Sequence, residues 1–385
     1  MQYNTATHTK SLYIHWPFCP YKCHFCPFVA LAKQDHLMDR YHAALIREIQ
    51  IFAQTQRSNT AIETIHFGGG TPSTYPTHLL LDMMSILKKE FNITSGAEIA
   101  FEVNPGTVHS QDHVIVWSKA GINRLSIGIQ STKDIVLRTL NRHQSIDQVY
   151  SLLQWVDGVF DNISIDLILG LPDVSTQEWK KTINEVLQWP IKHISIYFLT
   201  IHEGTPLYKK VHTNQIILPD DQEIVSLYKW TCKMLAKYNF IQYELSNFAK
   251  IGYESRHNSA YWDRIPYRGF GIGACSFDGV CRFQNEKNIM RYMDSIERQQ
   301  ETFIFCETLT EQQILLEQLM LGLRRPKGVK WHTIIEKSSD ASRQKINAAV
   351  YILEQKKLIE WQGDAIRLTH QGFAVENEIL VQLSQ

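Results

Sequence analysis

CPYKCHFC, residues 19–26, places Cys19, Cys23 and Cys26 at a C-x3-C-x2-C spacing, short enough for one loop to wrap three thiolates around a metal centre. Three of the seven cysteines fall inside these eight residues, a crowding that points to a site. A cubane 4Fe–4S cluster offers four irons to thiolates. Three cysteines therefore leave one iron open to a ligand that is not protein. Catalytic metal centres keep such a position and structural ones close it. The competing reading of this spacing is a structural zinc site completed by His15, His24 or His36.

Outward from the loop, β-rich runs alternate with amphipathic stretches from residue 11 to about 210. The predicted strands are 12–15 (LYIH), 62–67 (IETIHF), 98–103 (EIAFEV), 123–129 (NRLSIGI), 162–169 (NISIDLIL) and 193–199 (HISIYFL). Predicted helices lie near 37–54, 77–91, 110–120, 133–156 and 175–189, with Thr77, Ser110 and Ser175 as candidate N-caps. Such alternation builds βα units on a parallel sheet. Six units are too few for a closed eight-fold barrel. The expectation is an α/β fold whose residues 1–210 form an open, six-stranded parallel (β/α)6 partial TIM barrel.

The two faces of these strands differ. Ile99, Phe101 and Val103 oppose Ala100, Glu102 and Asn104; Leu125, Ile127 and Ile129 oppose Ser126, Gly128 and Gln130. The face turned from the helices would carry Tyr13, His15, His66, Glu102, Gln130, Asp166 and Tyr197. Carboxylates facing a dry core cost several kcal/mol, so this face is expected to line a polar, ligand-binding cavity. The cysteine loop follows the first strand and Gly68-Gly69-Gly70-Thr71-Pro72 follows the second. Both lie at C-terminal strand ends, where parallel barrels carry their sites, and consecutive glycines let backbone amides approach a ligand.

Beyond residue 210 the alternation stops, and residues 211–385 are expected to form a C-terminal α+β domain. Its predicted elements are a helix at 221–238, a strand at 240–245, an aromatic, glycine-rich stretch at 246–277, and helices near 286–300 and 310–324. It ends on a helix at 340–356, strands at 358–361 and 365–368 around Gly363-Asp364, and a helix capped by Thr369. That ending has the pattern of a winged-helix element. No basic recognition face accompanies it, so a structural role is expected and nucleic acid is not an expected partner. The scattered Cys232, Cys275, Cys281 and Cys306 fit small buried hydrophobes.

The 39 basic and 39 acidic residues cancel, leaving no global field toward nucleic acid or anionic lipid. No apolar run approaches the roughly 20 residues of a membrane span. The opening MQYNTATHTK lacks a signal-peptide core. An odd seven cysteines, three of them clustered, argue for a reducing compartment. A cytoplasmic soluble protein is expected.

The cysteine loop, GGGTPS (68–73), RLSIGIQS (124–131), L-x2-L-N-R-H (137–143), DLILGLP (166–172), YELSNFA (243–249) and HNSAYW (257–262) occur in this order and span nearly the whole chain. Together they resemble the radical S-adenosylmethionine (SAM) superfamily. The resemblance is to the branch that holds oxygen-independent coproporphyrinogen III dehydrogenases and HemW-like haem chaperones. In the dehydrogenases the cysteine motif extends to C-x3-C-x2-C-x-C behind a long N-terminal segment. Here Phe28 stands at the fourth position and 18 residues precede Cys19. HNxxYW is characteristic of the HemW-like side, so both features favour it.

The resemblance implies a 4Fe–4S cluster on Cys19, Cys23 and Cys26, with SAM bound through its amino and carboxylate groups to the open iron and cleaved to a deoxyadenosyl radical. Tyr13, Phe25, Gly69, Gly70, Thr71, Glu102, Gln130, Arg142 and Asp166 fall where the dehydrogenases contact SAM. Glu102 and Asp166 can accept from its ammonium and ribose hydroxyls, and Arg142 can pair with its carboxylate. His257 falls where the family's haem-binding histidine stands. Neutral imidazole suits haem iron, and Tyr253, Tyr261, Trp262 and Tyr267 could pack a porphyrin face. The implied function is a haem chaperone that delivers haem to target haem proteins such as membrane-bound respiratory enzymes, and the resemblance suggests a homodimer. The alternative is an oxidative decarboxylase of coproporphyrinogen III.

Overall fold

Strand β1 (Ser11–Trp16) opens a series of parallel strands: β2 (Ile62–Gly69), β3 (Ile93–Val103), β4 (Arg124–Gln130), β5 (Asn162–Leu169) and β6 (His193–Phe198). Each is hydrogen-bonded to the next in parallel register. The structure, a computed structural model, describes residues 9–55, 60–336 and 340–384, so the polar opening residues 1–8 lie outside it. Outside the strands run α1 (Met38–Thr55), α2 (Thr77–Glu90), α3 (Gln111–Ala120), α4 (Asp134–Thr139), α5 (Ile146–Val156) and α6 (Thr176–Val186). This is the open (β/α)6 barrel expected from the alternation. Its outward faces, such as Leu125, Ile127 and Ile129, are buried against the helices in one apolar cluster.

Local chemistry explains where the elements differ from the predicted ones. The predicted helix at 133–156 is two helices, because Asn141 adopts left-handed backbone (φ 56°) after α4. Ser145 then restarts helix with a capping box to Gln148. Ser175 caps α6 in the same way with Glu178. Ser110 occupies the N-cap of α3 without a side-chain bond, and Thr77 is the first residue of α2, behind Pro76. The strand expected at 240–245 shortens to β7 (Ile241–Gln242), because the Glu244 carboxylate folds back to accept from the Ser246 amide at 3.1 Å.

The end of the alternation near residue 210 is not the end of the sheet. Strand β7 and β8 (Asn247–Ala249) add antiparallel to the β6 edge. At the other edge β9 (Tyr267–Phe270) pairs parallel with β1, followed by the meander β10 (Cys275–Phe277), β11 (Cys281–Asn285) and β12 (Phe303–Thr308). Together they form a 12-stranded sheet among the described residues. A buried carboxylate fastens the meander to the barrel. Glu48 of α1 accepts from Arg268 Nη2 at 2.8 Å, Asn285 Nδ2 at 2.9 Å, the Tyr292 hydroxyl at 2.6 Å and the Gly271 amide at 2.9 Å. Cys232 is buried as expected, but Cys275 and Cys306 are exposed and Cys281 is half-buried on the meander, whose edge strand β12 buries none of its residues fully.

Three helices complete the part between: α7 (Pro206–His212), α8 (Asp221–Lys237) and α9 (Arg256–Trp262). Past α10 (Ile289–Glu297), α11 (Glu311–Leu323) leads into a separate apolar cluster that includes Leu319, Leu323, Ile334, Leu353 and Ile366. There β13 (Val329–Lys330), β14 (Ile359–Gln362) and β15 (Ala365–Leu368) make a small antiparallel sheet, and Thr369 caps the next helix through the Gly372 amide. This is the winged-helix-like ending. No helix among the described residues is long and apolar enough to cross a membrane.

Candidate functional site

At the C-terminal ends of the parallel strands the barrel opens into a cavity of about 430 Å³. Cys19, Cys23 and Cys26 line it together with Phe25, Gly69, Gly70, Thr71, Glu102, Gln130, Arg142 and Asp166. Eight of the ten residues expected to contact a cofactor therefore meet around the three cysteines. Tyr13 and His257 do not line it.

The cysteine loop is held from several sides. Phe18 and Cys19 form a short parallel ladder with Leu31 and Ala32. The end of α4 supplies the Leu140 carbonyl to the His24 amide at 2.9 Å, and Asn141 Nδ2 donates to the Lys22 carbonyl at 2.9 Å. The Leu207 amide of α7 donates to the His24 carbonyl at 3.0 Å. The L-x2-L-N-R-H stretch thus clamps the loop, with the left-handed turn at Asn141 sending Arg142 inward.

Arg142 is buried and carries no surface ion pair. Its Nη2 donates to the Gly128 carbonyl at 2.6 Å, its Nε to Gln144 Oε1 at 3.0 Å, and its Nη1 lies 3.8 Å from Cys23 Sγ. A cation thus stands beside one thiol of the set. Cys19 Sγ lies 3.1 Å from Thr71 Oγ1, and burial pushes its thiol up to about 11. Burial raises Cys26 as well. Neutral thiols pressed together in this way are poised to gain from a bound cationic centre, which takes thiolates. No group of three His, Cys, Asp or Glu among the described residues is placed to hold a single metal ion.

The polar wall opposite is incompletely paired. Asp166 Oδ2 accepts from Ser126 Oγ at 3.0 Å, but its buried Oδ1 has no partner. Burial, with some help from Glu102, raises the Asp166 carboxyl to about 6. An orphaned acceptor facing a cavity is a place for a ligand's donor. Gln130 reaches the cavity through a bulge in the β4–β5 ladder and a left-handed backbone (φ 68°), a conformation few side chains tolerate. Gly70 is needed for close approach: a Cβ there would stand 2.4 Å from the Pro17 carbonyl oxygen.

The barrel's opposite end is closed by α9, which carries HNSAYW. Its first amides point at buried Glu98, with Arg256 N at 3.1 Å and His257 N at 2.9 Å. His257 is 1% exposed. Its Nδ1 lies 2.8 Å from Thr64 Oγ1 and its Nε2 lies 2.8 Å from the Tyr261 hydroxyl, so both ring nitrogens are engaged. Burial holds its pKa well below the usual imidazole value. His66 stacks on it and bonds Glu102 Oε1 through Nε2 at 3.0 Å, with Tyr13 stacked on the other side of His66. Of the expected porphyrin-packing aromatics, Tyr261 and Tyr267 meet edge to face at 4.6 Å, and Tyr253 bonds Asp161. Tyr261 belongs to the floor, whereas Tyr253 makes its bond at the surface.

Reading by strand faces put Asn104 on the side of Glu102 without naming it a site residue; it lines the cavity and donates to the Tyr21 hydroxyl at 2.9 Å, and His202 and Lys22 on the rim were not named either. Position at a strand end or in a strand-end loop was the available signal for Asn104 and His202; Lys22 lay inside the motif itself.

Fold and cavity together define a radical SAM protein. Residues 13–186 match the Radical SAM superfamily, and residues 309–375 match the HemN C-terminal domain. The chain is 32% identical over 373 residues to the heme chaperone HemW of Bacillus subtilis, covering 96% of this chain and 98% of that one. It is 28% identical to the heme chaperone HemW of Lactococcus lactis, covering 96% of each. The chain belongs to the HemW family. In structure it is similar to coproporphyrinogen III oxidase (HemN) of Escherichia coli, with a TM-score of 0.84 at 23% identity over 99% of this chain and 91% of that one, a likeness of fold. Superfamily membership brings a 4Fe–4S cluster and SAM, and the residues around the cavity fit both.

Proposed function

We propose that the protein is a haem chaperone that binds haem and passes it to haem proteins, working in the cytoplasm. The observation that carries this reading is similarity along almost the whole chain to proteins named heme chaperone. The oxidase likeness is one of fold at 23% identity. Phe28, 64% exposed on the cavity rim, stands where the oxidase-type motif has its additional cysteine.

Cys19, Cys23 and Cys26 would hold the cluster, which supplies the electron for SAM cleavage. Glu102, Gln130 and Asp166 would receive SAM's donors, with the unpaired Asp166 Oδ1 as one acceptor. Gly69, Gly70 and Thr71 would let its methionyl part approach the backbone, Phe25 would pack against it, and Arg142 would meet its carboxylate or steady the cluster through Cys23. Tyr13 acts at one remove, stacked on the His66 that orients Glu102. His257 as an iron ligand would first have to give up a hydrogen bond to Thr64 or Tyr261. The targets, respiratory enzymes in a membrane among them, and a homodimeric state belong to this proposal.

The test is anaerobic. Reconstituted protein is titrated with haem, mixed with an apo haem protein, and separately given coproporphyrinogen III. Haem binding with transfer supports the chaperone; decarboxylation without stable haem binding supports the enzyme instead.

A further inference from the structure

An unbroken line of contacts runs from a thiol of the cysteine cavity to the surface. Cys19 Sγ lies 3.1 Å from Thr71 Oγ1, and the Thr74 hydroxyl donates to the Thr71 carbonyl at 2.7 Å while accepting from Trp16 Nε1 at 3.0 Å. The Trp16 indole stacks on the Tyr75 ring, with centroids 3.7 Å apart and planes 15° from parallel. Tyr75 Oη lies 2.7 Å from Nδ1 of His42 on α1, and His42 Nε2 lies 2.9 Å from Oδ2 of exposed Asp82 on α2. We infer that Tyr75 is a redox-active tyrosine that restores an oxidised Cys19 sulfur, its electron leaving through Trp16 and its proton through His42. This activity is separate from haem carriage and rests only on the cysteine cavity being the cluster site.

The hydrogen bonds set the direction of the proton. An ionised carboxylate only accepts, so His42 Nε2 carries its hydrogen toward Asp82, and Nδ1 is left to accept from the Tyr75 hydroxyl. A phenol that loses an electron becomes strongly acidic, and a base already in hydrogen-bond contact takes its proton. The imidazolium so formed has Asp82 as its counter-ion, and Asp82 stands in water. Buried Tyr75 is therefore neutral both before and after oxidation, which spares the core an unpaired charge. Trp16, buried against it, supplies the aromatic contact on the side of the cysteines. Satisfying a buried phenol does not require such a base. Tyr41 is also buried and simply donates to the His15 carbonyl at 2.8 Å.

The oxidant is hydroxyl radical, formed from peroxide near iron. It takes one electron from the Cys19 sulfur, leaving hydroxide and a sulfur radical. Tyr75 then gives one electron to that sulfur through Trp16, the phenolic O–H bond breaks, and the proton passes to His42 Nδ1. Cys19 is thiolate again, a neutral tyrosyl radical stands at Tyr75, and the imidazolium balances the hydroxide. A soluble one-electron reductant, a thiolate or an enediol, later returns the electron, and His42 returns the proton. Without this step, oxidation of the sulfur would continue to the irreversible sulfonic acid.

The test adds hydrogen peroxide to full-length protein carrying its reconstituted cluster. Samples are frozen for electron paramagnetic resonance at liquid-nitrogen temperature, where cluster signals broaden away. Wild type should give a tyrosyl signal that narrows when the tyrosines are ring-deuterated. Tyr75→Phe, which keeps the stack on Trp16, should lose that signal and carry severalfold more sulfonic acid at Cys19 by mass spectrometry. Trp16→Phe leaves Tyr75, His42 and Asp82 in place but should raise Cys19 oxidation likewise. His42→Gln can still accept from the phenol but cannot take its proton, and should lose most of the signal. Tyr41→Phe, which removes a buried phenol with no such base, should match wild type in both readouts. An unchanged signal in Tyr75→Phe would overturn the inference. So would unchanged Cys19 oxidation in both Tyr75→Phe and Trp16→Phe at a melting temperature equal to that of wild type.

Discussion

His66 of β2 and His257 of α9 lie face to face at the barrel floor, ring centroids 5.1 Å apart and planes 24° from parallel. Both face an interior that is polar yet closed from water. Burial, and secondarily His66, hold His257 neutral. A neutral His257 ring can stack on its neighbour without like-charge repulsion. His66 carries the arrangement up to Glu102 on the cavity wall, while His257 ties it down to Thr64 and Tyr261. The HNSAYW helix thus closes the barrel end opposite the cysteines.

His257→Ala should accordingly act first on stability. It leaves the Thr64 and Tyr261 hydroxyls without a buried partner and opens space beneath His66, at a cost of about 2–4 kcal/mol. Urea denaturation measures this. His202→Ala, exposed and unpartnered, should stay within about 0.5 kcal/mol of wild type. Equal stability in the two variants would mean that α9 is not a structural plug.

Serine at Cys19, Cys23 or Cys26 should each abolish the visible iron–sulfur absorption after anaerobic reconstitution, since a hydroxyl is a poor ligand to such irons. Serine at Cys232, Cys275, Cys281 or Cys306 should leave about four irons per chain. Stoichiometric zinc with no cluster in anaerobically handled protein would contradict the assignment.

The glycine loop gives a separable test. Gly69 has φ +114°, and a Cβ there would meet the His15 ring at 2.6 Å. Gly69→Val should therefore move the loop relative to β1 and cost about 1–3 kcal/mol. SAM affinity, followed by calorimetry, should fall while the reconstituted iron content persists. Unaltered SAM affinity would reduce the loop to a turn.

Much of this site was legible because strand alternation is a local, period-two property. Ile163, Ile165 and Leu167 point outward and Asp166 inward with no other knowledge needed. Gln130 shows the limit, since it reaches the cavity through a bulge that period-two counting does not contain. The continuation of the sheet past residue 210 was not legible either. Strand β9 pairs with β1 across more than two hundred residues of chain, a contact that leaves no local pattern. For His257, the resemblance suggested a haem-iron ligand, but only the fold could reveal that both nitrogens are already bonded. Short strands such as β7 yield to local turns, here the one Glu244 makes with the Ser246 amide.

Glu244 also sets the last prediction, a pH dependence. It is 1% exposed, one oxygen accepts from the Ser246 amide, and Oε1 has no hydrogen-bond partner. Burial raises its carboxyl to about 7, more than the Ser246 and Asn247 bonds and the charge of Arg324 can lower it. In the unfolded chain the same group titrates near ~4.3. Between these values the folded chain holds a proton that the unfolded chain has lost, so stability should fall as pH rises and level off above about 7. The span corresponds to roughly 4 kcal/mol at most. Buried His193 and His257 act with the opposite sign. Their depressed pKa values contribute stability above the unfolded ~6.5 that is lost on acidification. Glu244→Gln, which mimics the protonated carboxyl, should flatten the fall between ~4.3 and about 7 and leave the opposing contribution of the histidines unchanged. Urea midpoints for both proteins between about pH 5 and about pH 8 measure it. An equal slope below about pH 7 in wild type and Glu244→Gln would assign the dependence to another group, Asp166 being the next buried carboxyl raised in the same direction.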